Sequence, residues 1–323
     1  MRPPCRYLLW CIRNPLKKVS RIVQYFSRHL RDRISVGLFT RSDEMKMRRL
    51  QYFFAGLLLA FSGCNYQKGE TSSVLEPHSQ LPDVSATDPG NPTPSYSTAV
   101  LLFNGSGVST SDWQTTEEIV KSQSLSYRLV NSAQLNAMTL DELASFGVMI
   151  VPGGSGGTIT SGLTPETRLR VRKAVRERGL GYVGFCAGAW VAVGPEAATD
   201  RVASYGIAIA AGAILDLYLP GGVVPTAAIV DVFFPNQVHR NLVWWGGPIT
   251  PEWQNGVIAR YETGDPAISQ TWAGKGLVLV SGPHPEAPEG WRATAGNDPD
   301  GLDYDIAIDL IQAALTKTPL PAF

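Results

Sequence analysis

The residues best equipped for chemistry in this chain sit in two short motifs far apart in sequence. Gly184-Phe185-Cys186-Ala187-Gly188 lies between an apolar run and a small-residue stretch, and Gly282-Pro283-His284-Pro285-Glu286 follows a second apolar run. A thiol, an imidazole and a carboxylate are the parts of a cysteine nucleophile, its base and an acid that orients the base. Glycine two residues to either side of Cys186 is what a tight strand-to-helix elbow requires. Such an elbow presents the sulfur at a helix N-terminus, where the dipole favours the thiolate. The structural alternatives are a buried cysteine in a glycine-rich turn and a proline-stiffened loop with a solvated His and Glu. The order of the two motifs, each at a strand end, favours Cys186, His284 and Glu286 as catalytic residues.

Two other loops have a place in such a site. Pro152-Gly153-Gly154-Ser155-Gly156-Gly157 closes an apolar run. The backbone N–H groups of Gly153 and Gly154, joined by that of Ala187, can hold a developing oxyanion; the alternative is an ordinary flexible turn. Trp244-Trp245-Gly246-Gly247-Pro248 reads as core packing plus a turn, or as an aromatic pocket wall. His239 reads as a surface or satisfied histidine. The sequence holds no dinucleotide fingerprint, no Walker motif and no cluster with metal-ligand spacing, so neither cofactor nor metal is expected.

The elements that must position these residues follow from the patterning. From Thr98 onward, apolar runs alternate with helical patterns, which predicts an α/β fold: a parallel-sheet three-layer sandwich, flavodoxin-like, with additional strands in the C-terminal half. Ala99–Phe103, Tyr127–Val130, Gly147–Val151, Gly181–Phe185 and Leu277–Val280 read as strands of that sheet. Helices are expected over Ser111–Lys121, capped by Ser111 or Asp112, from Thr164-Pro165-Glu166 to Arg178, over Ala187–Val193, and over Asp303–Leu315. Ile207–Leu219, Ala227–Phe234 and Val257–Tyr261 read as strands without long helices between them. Ligands of open parallel sheets bind beyond the carboxyl ends of the strands, where the three loops converge.

The chain has 323 residues, with 28 basic and 28 acidic side chains. The balance hides an asymmetry: residues 1–49 hold 13 Lys and Arg but only Asp32, Asp43 and Glu44, leaving 15 basic and 25 acidic residues. A body with a net charge of −10 argues against nucleic acid as a partner, which needs a basic face to displace counterions. Met45-Lys46-Met47-Arg48-Arg49, the short apolar run Leu50–Phe61 and Ser62-Gly63-Cys64 have the anatomy of a secretory leader. The Ser-Gly-Cys ending resembles the bacterial lipobox, which implies cleavage before Cys64, lipidation of Cys64, and a periplasm-facing place in the cell envelope, on the outer membrane of a Gram-negative host. A plain secretory signal or a buried apolar segment is the alternative. Residues 45–63 are then the leader, and 64–97, rich in Ser, Thr and Pro, a flexible tether. Residues 1–44 are either the product of a misassigned start, with translation beginning at Met45 or Met47, or a basic extension. Cys186 is the lone thiol of the 98–323 domain.

Pro152-Gly153-Gly154, Gly184-Phe185-Cys186-Ala187-Gly188 and His284-Pro285-Glu286 together resemble the class I glutamine amidotransferase-like superfamily. Gly-Phe-Cys-Ala-Gly-Ala-Trp and the later Trp-Gly-Gly-Pro look most like the N-terminal domain of biotin-protein ligases and its stand-alone bacterial relatives. The resemblance implies Cys186 as nucleophile, His284 as base, Glu286 as acid and Gly153-Gly154 as oxyanion loop. No biotin ligase catalytic domain and no synthetase domain accompanies it. The expectation is a thiol hydrolase acting on a small-molecule or peptide-like amide, anchored to a membrane through Cys64. The alternatives are a non-catalytic module that binds a small molecule or a protein, and a cytosolic amidotransferase subunit. The oligomeric state is not legible.

Overall fold

The computed structural model of the chain describes residues 96–222 and 226–323. The leader, Cys64 and nearly all of the tether lie outside the described residues. No helix among the described residues is long and apolar enough to cross a membrane.

The described residues form eleven strands: β1 (Thr98–Phe103), β2 (Tyr127–Val130), β3 (Phe146–Val151), β4 (Gly181–Phe185), β5 (Val193–Gly194), β6 (Ala210–Ala211), β7 (Ala228–Phe233), β8 (His239–Trp244), β9 (Val257–Tyr261), β10 (Pro266–Ala273) and β11 (Gly276–Ser281). Nine of them form one sheet in the order β2-β1-β3-β4-β11-β10-β9-β7-β8. The first five pair in parallel and the rest antiparallel. The sheet is thus mixed, which corrects the expectation of a parallel sheet. The reason is connection length: parallel neighbours need a crossover of a dozen residues or more. β10 and β11 instead turn back through Gly274 and Lys275, with Gly274 at φ 62 as a tight hairpin demands.

The helices are α1 (Thr110–Ser122), α2 (Ser132–Ala137), α3 (Leu140–Ala144), α4 (Gly156–Gly162), α5 (Pro165–Arg178), α6 (Ala187–Ala192), α7 (Arg292–Ala295) and α8 (Tyr304–Thr316). β1, β3, β4 and β11 bury nearly every side chain on both faces, as near-continuous apolar runs do in sheets covered on both sides. Val100, Leu102, Val148, Ile150 and Leu279 meet Ile119 of α1 and Ile306, Leu310 and Ile311 of α8. On the other face Leu101, Met149, Val151, Val278 and Val280 meet Val171 and Val175 of α5 and Val191 of α6.

Three local expectations change. Ser109, not Ser111 or Asp112, holds the N-cap position of α1, without a side-chain capping bond, and Asp112 lies inside the first turn, fully buried. Ile207–Leu219 forms no continuous strand; Ala210–Ala211 pairs with β5, and Leu217 makes an isolated antiparallel bridge to Pro248. Its backbone groups have other partners: the N–H groups of Ile207 and Ile209 donate to Val191 and Ala192, while the Ile207 and Ile209 carbonyls accept from Arg172 and Arg176 of α5. Guanidinium groups thereby take the place of a neighbouring strand. Finally β5, β8, β10, α2, α3, α4 and α7 were not expected.

Candidate active site

Four segments meet at the carboxyl edge of the parallel strands, near the place between β1 and β3 where the strand order reverses. The loop after β4 carries Cys186, which follows Phe185 with φ 45 and ψ −100. That conformation costs a non-glycine residue about 1–3 kcal/mol and persists only when the surroundings over-determine it. Here the Cys186 N–H donates to the Ser281 carbonyl (2.8 Å), and its carbonyl accepts from the Trp190 N–H (3.0 Å). The two flanking glycines have a packing cause. A Cβ on Gly184 would stand 2.5 Å from the Gly188 backbone, and one on Gly188 would overlap the Val151 carbonyl. Strand, elbow and helix therefore approach more closely than any side chain allows. α6 has only six residues, so the helix-dipole assistance expected at the sulfur is limited.

Cys186 is buried, 4% exposed, and is the only free cysteine among the described residues. Its Sγ donates to the Trp245 carbonyl at 3.5 Å. The loop after β11 delivers His284, whose N–H donates to the Val243 carbonyl of β8 (2.7 Å). The antiparallel half of the sheet therefore fixes the imidazole. His284 Nδ1 lies 2.8 Å from Oε1 of Glu286, with the imidazole 2% and the carboxylate 0% exposed. His284 Nε2 is buried and has no hydrogen-bond partner.

The structure adds a residue that sequence reasoning assigned only to a helix cap. Asp112 is 0% exposed and places Oδ2 3.5 Å from His284 Nδ1. Neither of its carboxylate oxygens has a hydrogen-bond partner, and neither does Oε2 of Glu286. Gly153 makes room for it, because a Cβ there would overlap Oδ2 of Asp112 and sit 2.5 Å from Cε1 of His284. No motif reveals Asp112; the one signal is an acid in the first turn of the helix after β1, at the sheet edge where sites form.

The remaining residues of the predicted site have distinct places. Gly153 borders Asp112 and His284, while Gly154, at φ 143, packs on the Gly107–Ser109 backbone of the loop after β1. Ala187 is the first residue of α6, so its N–H has no intrahelical acceptor. Half-buried aromatic rings frame the elbow. Trp190 donates to the Gly246 carbonyl (3.5 Å), and Trp291 lies edge-on to both Trp245 and His284, with ring centroids 5.2 and 5.1 Å away. Tyr205 would collide with a Cβ on Gly156, and burial together with the Cys186 charge pushes its hydroxyl up to about 12. Trp245 belongs to this frame, whereas Trp244 is core. His239 is exposed and pairs with Asp231 at 2.8 Å, away from the elbow.

The electrostatics follow from burial. Desolvation, reinforced by the Glu286 charge, holds Asp112 well above the carboxylate range, and His284 only partly offsets it. Burial likewise raises Glu286 to about 8. For His284, burial acts downward, but the charge and hydrogen bonding of a Cys186 thiolate, followed by Asp112, outweigh it, and the imidazole is raised. In the resting geometry Sγ is engaged with Trp245 instead of Nε2, so that elevation applies once the thiol ionises. Among the described residues, Asp112, His284 and Glu286 are the only group of three or more metal-ligating types whose ligand atoms lie within 4.8 Å of one another. The 2.8 Å Nδ1–Oε1 contact is a hydrogen bond.

No protein-family model matches the chain, and no curated protein matches it. Among solved structures it is similar to a glutamine amidotransferase at 20% identity and a TM-score of 0.43, covering 68% of this chain and 100% of that one. It is also similar to a glutamine amidotransferase from Methylobacillus flagellatus, at 13% identity and a TM-score of 0.39, over 71% of this chain and 98% of that one. A third is a cytoplasmic protein from Salmonella typhimurium, at 11% identity and a TM-score of 0.43, over 67% and 98% of the two chains.

Proposed function

We propose that the chain is a cysteine-dependent hydrolase of an amide bond in a small-molecule or peptide-like substrate. Cys186 attacks the carbonyl carbon, and its proton passes to Nε2 of His284. The tetrahedral oxyanion is held by N–H groups of Gly153, Gly154 and Ala187. His284 then gives the proton to the leaving amine, and water hydrolyses the thioester. Glu286 fixes the tautomer by accepting from Nδ1, leaving Nε2 free for the sulfur. The observation that carries this reading is the buried His284–Glu286 hydrogen bond beside a strained cysteine elbow, with Nε2 unpartnered. The likeness of the Gly-Phe-Cys-Ala-Gly motif to the biotin-protein ligase N-terminal domain supports the same roles. Anchoring at the cell envelope through Cys64 goes with this reading, and Cys64→Ser should release the protein from the membrane fraction.

One observation favours a second reading, a module that binds without turnover: Sγ donates to the Trp245 carbonyl and not to His284. The rate of Cys186 alkylation against pH, followed on the Cys186 peptide of the full chain by mass spectrometry, separates the two. A hydrolase gives rapid labelling near pH 7 that slows at least ~10-fold in His284→Ala and in Glu286→Ala. Labelling that rises only near the free-thiol value of about 8.5, unchanged by either substitution, would mean that the binding module is correct.

A further inference from the structure

We propose that Asp112 and Glu286 act as one unit: a buried acid pair that keeps a single proton between its two carboxylates and so presents one negative charge to His284. Asp112 is then a positioning residue that acts through His284. The geometry is the ground for this. Both carboxyl groups are fully buried, both converge on Nδ1 of the same imidazole at 2.8 and 3.5 Å, and three of their four oxygens lack a partner. Two carboxylates cannot both ionise in such a place without a cation between them. The raised proton affinities of both acids agree with this.

Among the described residues His284 is the only ion-pair partner of the two acids. His284 faces the pair from the loop after β11, and Cys186 lies beyond it on the β4 elbow. On the side of α8, Tyr304 feels the charges of Glu118, Arg292 and Glu289 as well as that of Glu286. The Arg292 guanidinium is already engaged by Asp298, Asp303 and the Ala287, Pro288 and Gly301 carbonyls. A proton is therefore the remaining counter-charge. Charge then balances through the reaction: when Cys186 passes its proton to Nε2, the imidazolium forms beside one negative charge, and the cluster of three becomes neutral. The pair also carries a reserve, because removing either carboxylate shifts the charge onto the other.

The reserve makes the inference testable with isosteric amides. Asp112→Asn mimics the protonated acid and leaves Glu286 charged, so alkylation of Cys186 at pH 7 should stay within about threefold of wild type. Glu286→Gln moves the charge to Asp112 and should slow alkylation about tenfold. The double variant has no carboxylate and should fall at least about tenfold below the product of the two single effects. A double variant equal to that product overturns the proposal and makes Asp112 a packing residue.

Only the consequence for the thiol rests on the hydrolase reading. The ring shifts of His284, followed by NMR on the full chain against pH, test the pair independently. Wild type should show two inflections, one for the ring and one for the pair, and Asp112→Asn only the first. A single inflection with the same midpoint in both proteins overturns the pair even if the thiol proves reactive. If Asp112→Asn fails to fold, the two wild-type inflections still decide the question. A stoichiometric divalent metal in the purified protein, lost in Glu286→Gln, would also overturn it by showing that a cation balances the pair.

Discussion

At the residue scale, Glu286 couples the site to the stability of the whole domain. Its carboxyl, ordinarily near 4.5, is raised to about 8 by burial. Between those values the folded protein binds a proton that the unfolded chain has lost, so stability falls as pH rises through the window. The slope reaches about 1.4 kcal/mol per pH unit for one proton. Asp112 is displaced in the same direction, and because the pair shares one proton it counts once. Urea unfolding at pH 5 and pH 8 should show wild type losing more stability than Glu286→Gln between the two. Equal losses would place the pH dependence elsewhere, for instance at Asp303, which burial raises to about 7. Cys186, His284 and Glu286 were legible in the sequence because each sits in a dense local motif. Asp112 was not, because what makes it unusual is its burial against residues 172 and 174 positions later.

At the element scale, the turn between β3 and α4 matters less as a flexible loop than as a gap. Gly153 leaves the space that Asp112 and the His284 ring occupy, and a methyl group cannot share it. Gly153→Ala should cost about 1–3 kcal/mol of stability through overpacking and slow Cys186 alkylation by displacing the imidazole. Gly157→Ala, four residues on and with nothing within 4 Å of its Cβ, is the matched control and should change neither. If the two variants behave alike, the glycine serves the turn and not the site. Elements announced by strong local signals were read well. α5 has its Thr164 cap, Pro165 in the first turn and Gly179 at φ 82 as terminator, and β9 spans Val257–Tyr261 as expected. The run from Ile207 to Leu219 was misread because composition gives no sign that Arg172 and Arg176, some thirty residues earlier, would take the carbonyls a strand partner needs.

At the scale of the whole molecule, the antiparallel half of the sheet has a role the sequence did not suggest: it carries the wall against which the His284 loop is fastened. Parallel strands could be inferred from apolar runs separated by helices, but the joining of β10, β9, β7 and β8 to the same sheet depends on pairings with no local signature. The His284 N–H reaches Val243 of β8, and two arginines secure the chain that follows. Arg240 of β8 bonds Asp303 and Asp305 at 2.8 and 2.7 Å and Asp300 at 3.3 Å, while Arg292 of α7 reaches Asp298 at 2.6 Å and Asp303 at 3.4 Å. The side chains of Asp303 and Asp298 are almost wholly buried, so removing Arg292 leaves Asp298 without a counter-charge and Asp303 with Arg240 alone, and it orphans the Ala287 and Gly301 carbonyls. Arg292→Leu should therefore cost about 3–5 kcal/mol in urea unfolding. It should also speed amide hydrogen exchange across residues 284–303, loosening the site together with the fold. Arg260→Leu breaks a pair with Glu252 at the surface and should cost no more than about 1 kcal/mol, with exchange at 284–303 unchanged. Equal losses in the two variants would mean that the buried network does not hold the His284 loop, and that the Val243 contact alone positions the imidazole.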